Sequence, residues 1–519
     1  MPTRQTNHRP NRFSRFSRFS RFSRFMAGTL VLAASATVAT TSTASGDQLP
    51  YAPLTAQVIS GEHPVFKGQV SAGERFGRAC TGLGDVDGDG VPDIAIGSRS
   101  DQTGGTDSGA VYIVLMNADL TPKAATKLGV GSGGVPTGTI NEGDMFGYGV
   151  AGLGDIDGDG VPDLAITAPN AEPAGLPATA NRGALFIAFL NANGSVRAIE
   201  RIDGDDGLPL QNGDSCGQGC ANLGDLDGDG LIEIGLGATG TDDGAMNAGA
   251  VHVVTVGPNG ALVRHQQIGQ MSSNGLLSLD ANDNFGGRGL ARLGDLDGDG
   301  STEVAVGCFH DDDGGIDRGA AYILSLRATA PGEPLSLERV AKISSTSGDL
   351  LGPLEDDDLF GMSVAPLGDL DGDGVPDLAV GSNKDDVGGT DMGSLYLLGL
   401  SADGSVARES LIAEGTGFPG LSLIAGERFG RALANFGDIR GDGSTVLGVG
   451  AGAAVNGGRI WLVAIGGTRS PDLDGNGTVG GSDLGLLFGG WGMPGPTDLD
   501  WSGTTESTDL ARILTAWRH

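Results

Sequence analysis

Asp85-Val-Asp87-Gly-Asp89-Gly-Val-Pro-Asp93 decides the fold, because the chain repeats it. It returns as Asp155-Ile-Asp157-Gly-Asp159-Gly-Val-Pro-Asp163 and as Asp369-Leu-Asp371-Gly-Asp373-Gly-Val-Pro-Asp377. Variants ending in Glu are Asp225-Asp227-Asp229-Glu233 and Asp295-Asp297-Asp299-Glu303. A degraded sixth copy runs from Asp438 through Arg440 and Asp442 to Val446. Carboxylates at positions 1, 3, 5 and 9 around a Gly turn can converge on one hard cation, and calcium prefers such a flexible oxygen cage. Arg440 and Val446 remove two oxygens from the sixth copy, which is expected to hold no ion. The copies recur about every 70 residues, the signature of a repeat architecture.

Around each copy the sequence reads alike. In residues 146 to 202, Phe146-Gly147 opens a short strand that leads into the acidic loop. Pro162 to Thr167 reads as a second strand, Gly183 to Leu190 as a third, and Val196 to Ile202 as a fourth beyond the turn Asn191-Ala-Asn-Gly194. Four strands per repeated unit predict the blades of a β-propeller, an all-β fold of four-stranded antiparallel sheets. Leu54 to Ser60 reads as an orphan fourth strand before the first unit. Gly458 to Ile465 is a third strand with no fourth behind it, and pairing the two would seal the ring. Units start near 76, 146, 216, 285, 360 and 429, giving six blades, with seven as the alternative.

Phe76-Gly77, Phe146-Gly147, Phe285-Gly286, Phe360-Gly361 and Phe429-Gly430 each precede an acidic loop by about nine residues, and Ile96-Gly97, Val306-Gly307 and Val380-Gly381 follow one. The third unit has Cys216-Gly217 instead. This pattern, over about residues 50 to 466, resembles the FG-GAP repeat of integrin alpha chains. The resemblance implies a propeller with calcium in hairpin loops on one face and ligand binding on the other, although integrins have seven blades.

After Arg469 the pattern changes. Asp472, Asp474, Asn476, Thr478 and Asp483, then Asp498, Asp500, Ser502, Thr504 and Asp509, form two 12-residue loops of EF-hand type, each followed by a short apolar helix pattern. Residues 467–519 resemble a type I dockerin, which implies a second pair of calcium sites and a cohesin-like or other envelope partner. The hydroxyl pair Ser507-Thr508 fits the partner-selecting positions of that family; Gly481-Ser482 fits half of them.

The chain has 65 Asp+Glu against 32 Lys+Arg. The first 45 residues hold seven Arg and no acid, so the rest carries 25 basic against 65 acidic groups, near −40. Such a charge repels nucleic acid and anionic lipid. Residues 1–45 read as a signal peptide: an Arg-rich lead, an apolar run from Met26 to about Val38 too short to span a bilayer, then Thr43-Ala44-Ser45 before Gly46. Met26 is an alternative start. The expected location is secreted or at the cell surface. Four Cys (Cys80, Cys216, Cys220, Cys308) are too few for a disulfide scaffold.

Catalytic signals are sparse. Six His are scattered, and no G-x-S-x-G, H-E-x-x-H or P-loop occurs. Only one of four Trp, Trp461, lies in the propeller, which argues against a sugar cleft. A second set of acids, including Asp203 to Asp206, Asp311 to Asp317, Glu355 to Asp358 and Asp385 to Asp391, is expected on the face opposite the hairpins, where it serves either a partner or turn formation. The reading is a non-enzymatic binding or display protein that meets an unknown protein or glycan on that face. The alternatives are a component of polysaccharide breakdown and a structural envelope protein.

Overall fold

Within each unit the two middle strands are buried, mostly apolar runs and the outer strand is more polar and partly exposed, as expected of sheets stacked face to face. The computed structural model describes residues 50–173, 175–177, 179–452, 458–467, 471, 473, 479–493, 497–499 and 504–517. The expected leader and loop positions Asp472, Asp474, Asn476, Thr478, Asp500 and Ser502 lie outside the described residues.

The units fold as six four-stranded antiparallel sheets, a six-bladed β-propeller. Blade 1 contains Phe76–Gly84, Asp93–Ser98, Ala110–Met116 and Pro122–Leu128. Blade 2 starts with Val150–Gly154, blade 3 with Cys216–Gly224, blade 4 with Leu290–Gly294 and blade 5 with Phe360–Gly368. Blade 6 combines Ala432–Asn435, Thr445–Ala451 and Arg459–Gly466 with Ala52–Ser60 from the chain's other side. The register runs from Ala52 opposite Gly466 to Ser60 opposite Arg459. The orphan strand therefore closes the ring as expected.

Packing follows the closure. Each core cluster of the propeller spans two neighbouring blades: Leu83 and Ile113 of blade 1 pack with Phe186 of blade 2, and Ile59 and Ile460 of blade 6 pack with Phe76 and Tyr112 of blade 1. The Phe of each Phe-Gly pair is fully buried. Four of them meet an aromatic ring of their own blade edge-on, at centroid separations of 5.5 Å for Phe76–Tyr112, 5.2 Å for Phe146–Phe186, 5.5 Å for Phe285–Tyr322 and 5.3 Å for Phe360–Tyr396. Isolated parallel bridges tie Phe146, Phe285, Phe360 and Phe429 to the preceding blade, as from Gly319 to Phe360 and from Gly393 to Phe429.

The Gly after that Phe is required. Gly361 has φ +82°, and a Cβ there would lie 2.1 Å from the Ala320 carbonyl oxygen. The residue before the Phe is also left-handed but is not glycine: Arg75, Met145, Leu359 and Arg428 have φ of 59 to 61°. The strain recurs with the repeat, so it belongs to the blade-to-blade link.

The C-terminal segment contains α1 (Gly481–Gly489) and α2 (Ser507–Ala516), which pack through Leu487, Leu499 and Ile513. All four cysteines are free. Among the described residues no helix is long and apolar enough to cross a membrane.

Candidate metal centres on the hairpin face

Each acidic loop joins the innermost strand of a blade to the second one, and backbone amides shape it. Asp85 Oδ1 accepts from the N–H of Gly88 (2.8 Å) and Asp89 (3.1 Å), while its Oδ2 accepts from Gly90 N–H (2.8 Å). Asp155, Asp225, Asp295 and Asp369 accept the same set. Position 5 closes the turn: Asp89 Oδ1 accepts from Val91 N–H at 2.9 Å.

The acid at position 9 is a buried latch. Asp93 accepts from Val86 N–H (2.9 Å) and Met116 N–H (2.8 Å), Asp163 from Ile156 (3.1 Å) and Leu190 (3.2 Å), and Asp377 from Leu370 (2.7 Å) and Leu400 (3.3 Å). Where Glu replaces Asp, the loop amide is kept, from Leu226 N–H to Glu233 (2.7 Å) and from Leu296 N–H to Glu303 (2.8 Å), and a hydroxyl takes the place of the second amide. Thr255 donates to Glu233 at 2.7 Å, and Ser325 donates to Glu303. Burial pushes the carboxyls of Asp93 and Asp163 up to about 6 and that of Asp377 up to about 7.

The donor sets fit a cation. One carboxylate oxygen each from Asp85, Asp87 and Asp93 lies within 4.8 Å of the others, as do those of Asp155, Asp157 and Asp163, of Asp225, Asp227 and Asp229, and of Asp295, Asp297 and Asp299. Asp87 Oδ1 and Asp157 Oδ1 are buried with no hydrogen-bond partner. A buried, unpaired carboxylate oxygen is costly unless a cation or donor meets it.

The sequence reading missed a basic residue over every one of these loops. Lys123 Nζ lies 2.6 Å from Asp87 and 2.5 Å from Asp89. Arg197 pairs with Asp157 and with Asp159 (2.9 Å). Arg264 reaches Asp227 (2.5 Å) and Asp229 (2.7 Å), Arg339 reaches Asp297 (2.9 Å), and Arg408 pairs with Asp371. Each stands on its blade's outermost strand, second or third in line for Lys123, Arg197, Arg264 and Arg408 and at the middle of the longer strand Leu335–Ile343 for Arg339. In blade 6 that strand offers Leu54 and Thr55. There the cation comes from the loop itself, where Arg440 pairs with Asp442 at 3.0 Å.

In the C-terminal segment Asp483 and Asp509 do the same work twice. Asp483 accepts from Leu473 N–H (2.7 Å) and Gly480 N–H (2.8 Å); Asp509 accepts from Leu499 N–H (2.5 Å) and Glu506 N–H (2.7 Å). Asp498 is buried and Thr504 exposed.

On the opposite face many of the second set of acids are internal. Asp311 accepts from Tyr322 Oη (2.9 Å) and pairs with Lys342 (2.9 Å), Asp385 accepts from Ser394 Oγ (2.6 Å), and Asp358 accepts from Glu355 N–H (2.6 Å). A cavity of about 490 Å³ opens there between blades 3 and 4, lined by Asn247, Asn282, His310 and Asp317 among others. His310 Nδ1 lies 2.8 Å from Asp317. Trp461 is buried and donates to Glu427 at 3.0 Å, so it serves the core and offers no platform for a sugar.

Comparison with known proteins agrees with this geometry. Residues 81–114, 146–184 and 360–398 match the FG-GAP repeat family. The chain is 32% identical over 184 residues to integrin alpha-PS5 of Drosophila melanogaster, covering 34% of this chain and 16% of that protein. It is 28% identical over 244 residues to integrin alpha-5 of Xenopus laevis, covering 46% of this chain and 20% of that one. The chain thus spans a fifth or less of these relatives' length. The solved ectodomain of the parainfluenza virus 5 hemagglutinin-neuraminidase aligns at TM-score 0.41 and 7% identity, over 80% of this chain and 83% of that one. The chain carries FG-GAP repeats in an integrin-alpha-like β-propeller.

Proposed function

We propose that the chain is an extracellular, non-enzymatic binding module whose hairpin face is fastened by calcium and whose opposite face meets a partner. The orphaned, buried oxygens of Asp87 and Asp157 inside converging carboxylate sets carry the metal part of this reading. Five propeller loops hold one ion each, and the degraded loop at Asp438 holds none. The C-terminal segment adds two calcium loops and acts as a dockerin-like attachment. The exposed apolar side chains of Leu486, Phe488, Trp491 and Leu514 support a protein contact there. Integrin alpha chains are the likeness behind the adhesion reading, and residues 1–45 are the expected export signal.

The test is thermal unfolding of residues 46–519 with added calcium and with chelator, together with a count of bound metal. About seven ions and a large calcium-dependent rise in melting temperature are expected. No bound metal and no shift would reduce the acidic loops to turns and remove the physical basis of the reading.

A further inference from the structure

The repeats agree at Phe-Gly and at the acidic loops but diverge in one slot. The residue after Phe-Gly, or after Cys216-Gly217, is Arg78, Tyr148, Gln218, Gly287, Met362 and Arg431 in turn. It lies at or just before the start of the innermost strand, at the end of that strand opposite the hairpins, and it lines an axial cavity or directly precedes a residue that does. Arg288 follows Gly287, and Arg99 directly follows the second strand of blade 1 on the same side.

These four arginines converge. Arg288 Nη1 donates across the axis to the Arg78 carbonyl at 3.4 Å. The guanidinium carbon of Arg288 stands 4.3 Å from the Tyr148 ring centre, and that of Arg99 4.8 Å from it. A Cβ on Gly452 would lie 2.9 Å from Arg431 Cδ and 3.1 Å from Arg78 Cδ, which places those two stems side by side. None of the four makes an ion pair among the described residues, although the chain has twice as many acids as bases. The stretch 453–457, next to Gly452, contains no acid.

Arg78 is only 4% exposed, and its Nε has no partner. The Nε atoms of Arg99 and Arg431 are likewise buried and unpaired. Arg78, Arg288 and Arg431 line the axial cavity of about 50 Å³, to which all six blades contribute, with no carboxylate among the described residues of its wall; Arg99 stacks on Tyr148, which also lines it. Buried like charges without counter-charge are costly. Burial, then repulsion from Arg288, presses Arg431 down to about 8; burial presses Arg99 down to about 10, and Arg78 lies well below the ordinary range.

We propose that the axial mouth binds one doubly charged tetrahedral oxyanion group, a sulfate or phosphate. The volume admits one such head group and no sugar ring. Guanidinium forks match its oxygens, and two negative charges offset more of the repulsion than one carboxylate would. The proposal deepens the reading of this face as the partner face and rests on it. It does not depend on the hairpin loops, so the calcium result and the anion result fail separately.

The experiment is isothermal titration of the calcium-saturated protein with inorganic sulfate, inorganic phosphate, methyl phosphate and acetate, at fixed ionic strength set by chloride. Melting temperatures are recorded in parallel. Sulfate or phosphate should bind at one site per chain. Methyl phosphate binding equally well would assign the site to an esterified group, and its exclusion would assign it to the free ion. Arg78→Gln should weaken binding about tenfold or more while raising the anion-free melting temperature, because a repelling charge is gone. Arg288→Gln, at a half-buried position in the cavity wall, is the second variant should Arg78→Gln fail to fold; the same weakening is expected. Acetate binding as tightly as sulfate would overturn the dianion assignment. Absent binding, or binding that neither variant weakens, would overturn the site.

Discussion

Removing the charge of Arg264 tests whether the outer-strand bases stand where a metal would. Its guanidinium nitrogens lie 2.5 Å from Asp227 Oδ2 and 2.7 Å from Asp229 Oδ2, with Glu233 at 3.6 Å. Calcium takes oxygens at about 2.3–2.6 Å, so ion and guanidinium compete for the same atoms. After displacement the arginine remains tethered about 5 Å from a doubly charged ion. In near-aqueous dielectric that repulsion is about 1.5–2 kcal/mol. Arg264→Gln should therefore tighten one calcium site about tenfold. The same change removes ion pairs from the metal-free protein. Because the Arg264 side chain is 32% exposed, that loss is worth only about 0.5–1 kcal/mol. Chelator-competition titration reads the affinity, and paired melts read the two stabilities. The metal-free variant should melt lower than wild type, and the calcium-saturated variant should not. Calcium affinity that is unchanged or weaker would refute the competition, as would an equal drop in both melts.

Gly361→Ala should cost about 2 kcal/mol or more, since a left-handed backbone and a 2.1 Å approach to the Ala320 carbonyl both oppose a Cβ; denaturant unfolding checks it, and a loss below experimental error would remove the argument for the Phe-Gly link. Deleting residues 50–60 should leave Arg459–Gly466 as an open edge, giving aggregation or rapid proteolysis that a synthetic peptide of those residues relieves; an unchanged melt would deny the strand its closing role. His252 is buried with its Nδ1 2.8 Å from His265 Nε2, and burial followed by repulsion from His265 presses it down to about 3. The fold holds it neutral, so its stabilisation is complete above about pH 6.5 and is lost below that at about 1.4 kcal/mol per pH unit. Asp93, Asp163 and Asp377 run the other way without metal, because raised carboxyls favour the fold as pH falls through about 7 to 6. Comparing His252→Gln with wild type isolates the imidazole, and coincident slopes between pH 6.5 and 4.5 would sink the assignment.

Much of the fold was legible because the repeat supplies its own controls. Asp-x-Asp-Gly-Asp fixes a turn by side-chain-to-amide bonds that need only local residues, and five near-identical copies report it independently. Blade count and closure followed from one unmatched strand at each side. The basic residues over the loops escaped because they lie some 35 residues downstream on another strand; Lys123 meets Asp89 only once the sheet register is known. A signal existed in the recurring Lys or Arg two to five residues into each outer strand, at 123, 197, 264, 339 and 408, and its absence at Leu54-Thr55. The axial arginines escaped for another reason. Consensus reading keeps what the repeats share, and these residues occupy the slot where the repeats differ. Where Phe146-Gly147 was read as strand, regular pairing begins only at Val150, since Gly147 N–H and Tyr148 N–H both turn toward the Thr167 carbonyl.

The two charge arrangements explain each other. Each of the five intact acidic loops carries a base of its own, and the one blade whose outer strand lacks that base has an arginine inside the loop. The hairpin face can therefore hold its shape before any ion arrives, and metal would add rigidity to a loop already formed. Local compensation also confines much of the acidic surplus to turns and latches. The acids of the opposite face follow the same rule, with Asp101 held by Lys127 and Asp311 by Lys342. Bases elsewhere are largely committed to such pairs; the arginines at 78, 99, 288 and 431 are not. In a chain this acidic, four guanidinium groups could each have been given a carboxylate. A ring of blades brings one residue per repeat to a common axis, so changing that residue alone builds a site without disturbing the links that hold the ring. The axial mouth is where this propeller departs from its own repeat, and its unspent positive charge gives the face opposite the hairpins a defined chemistry.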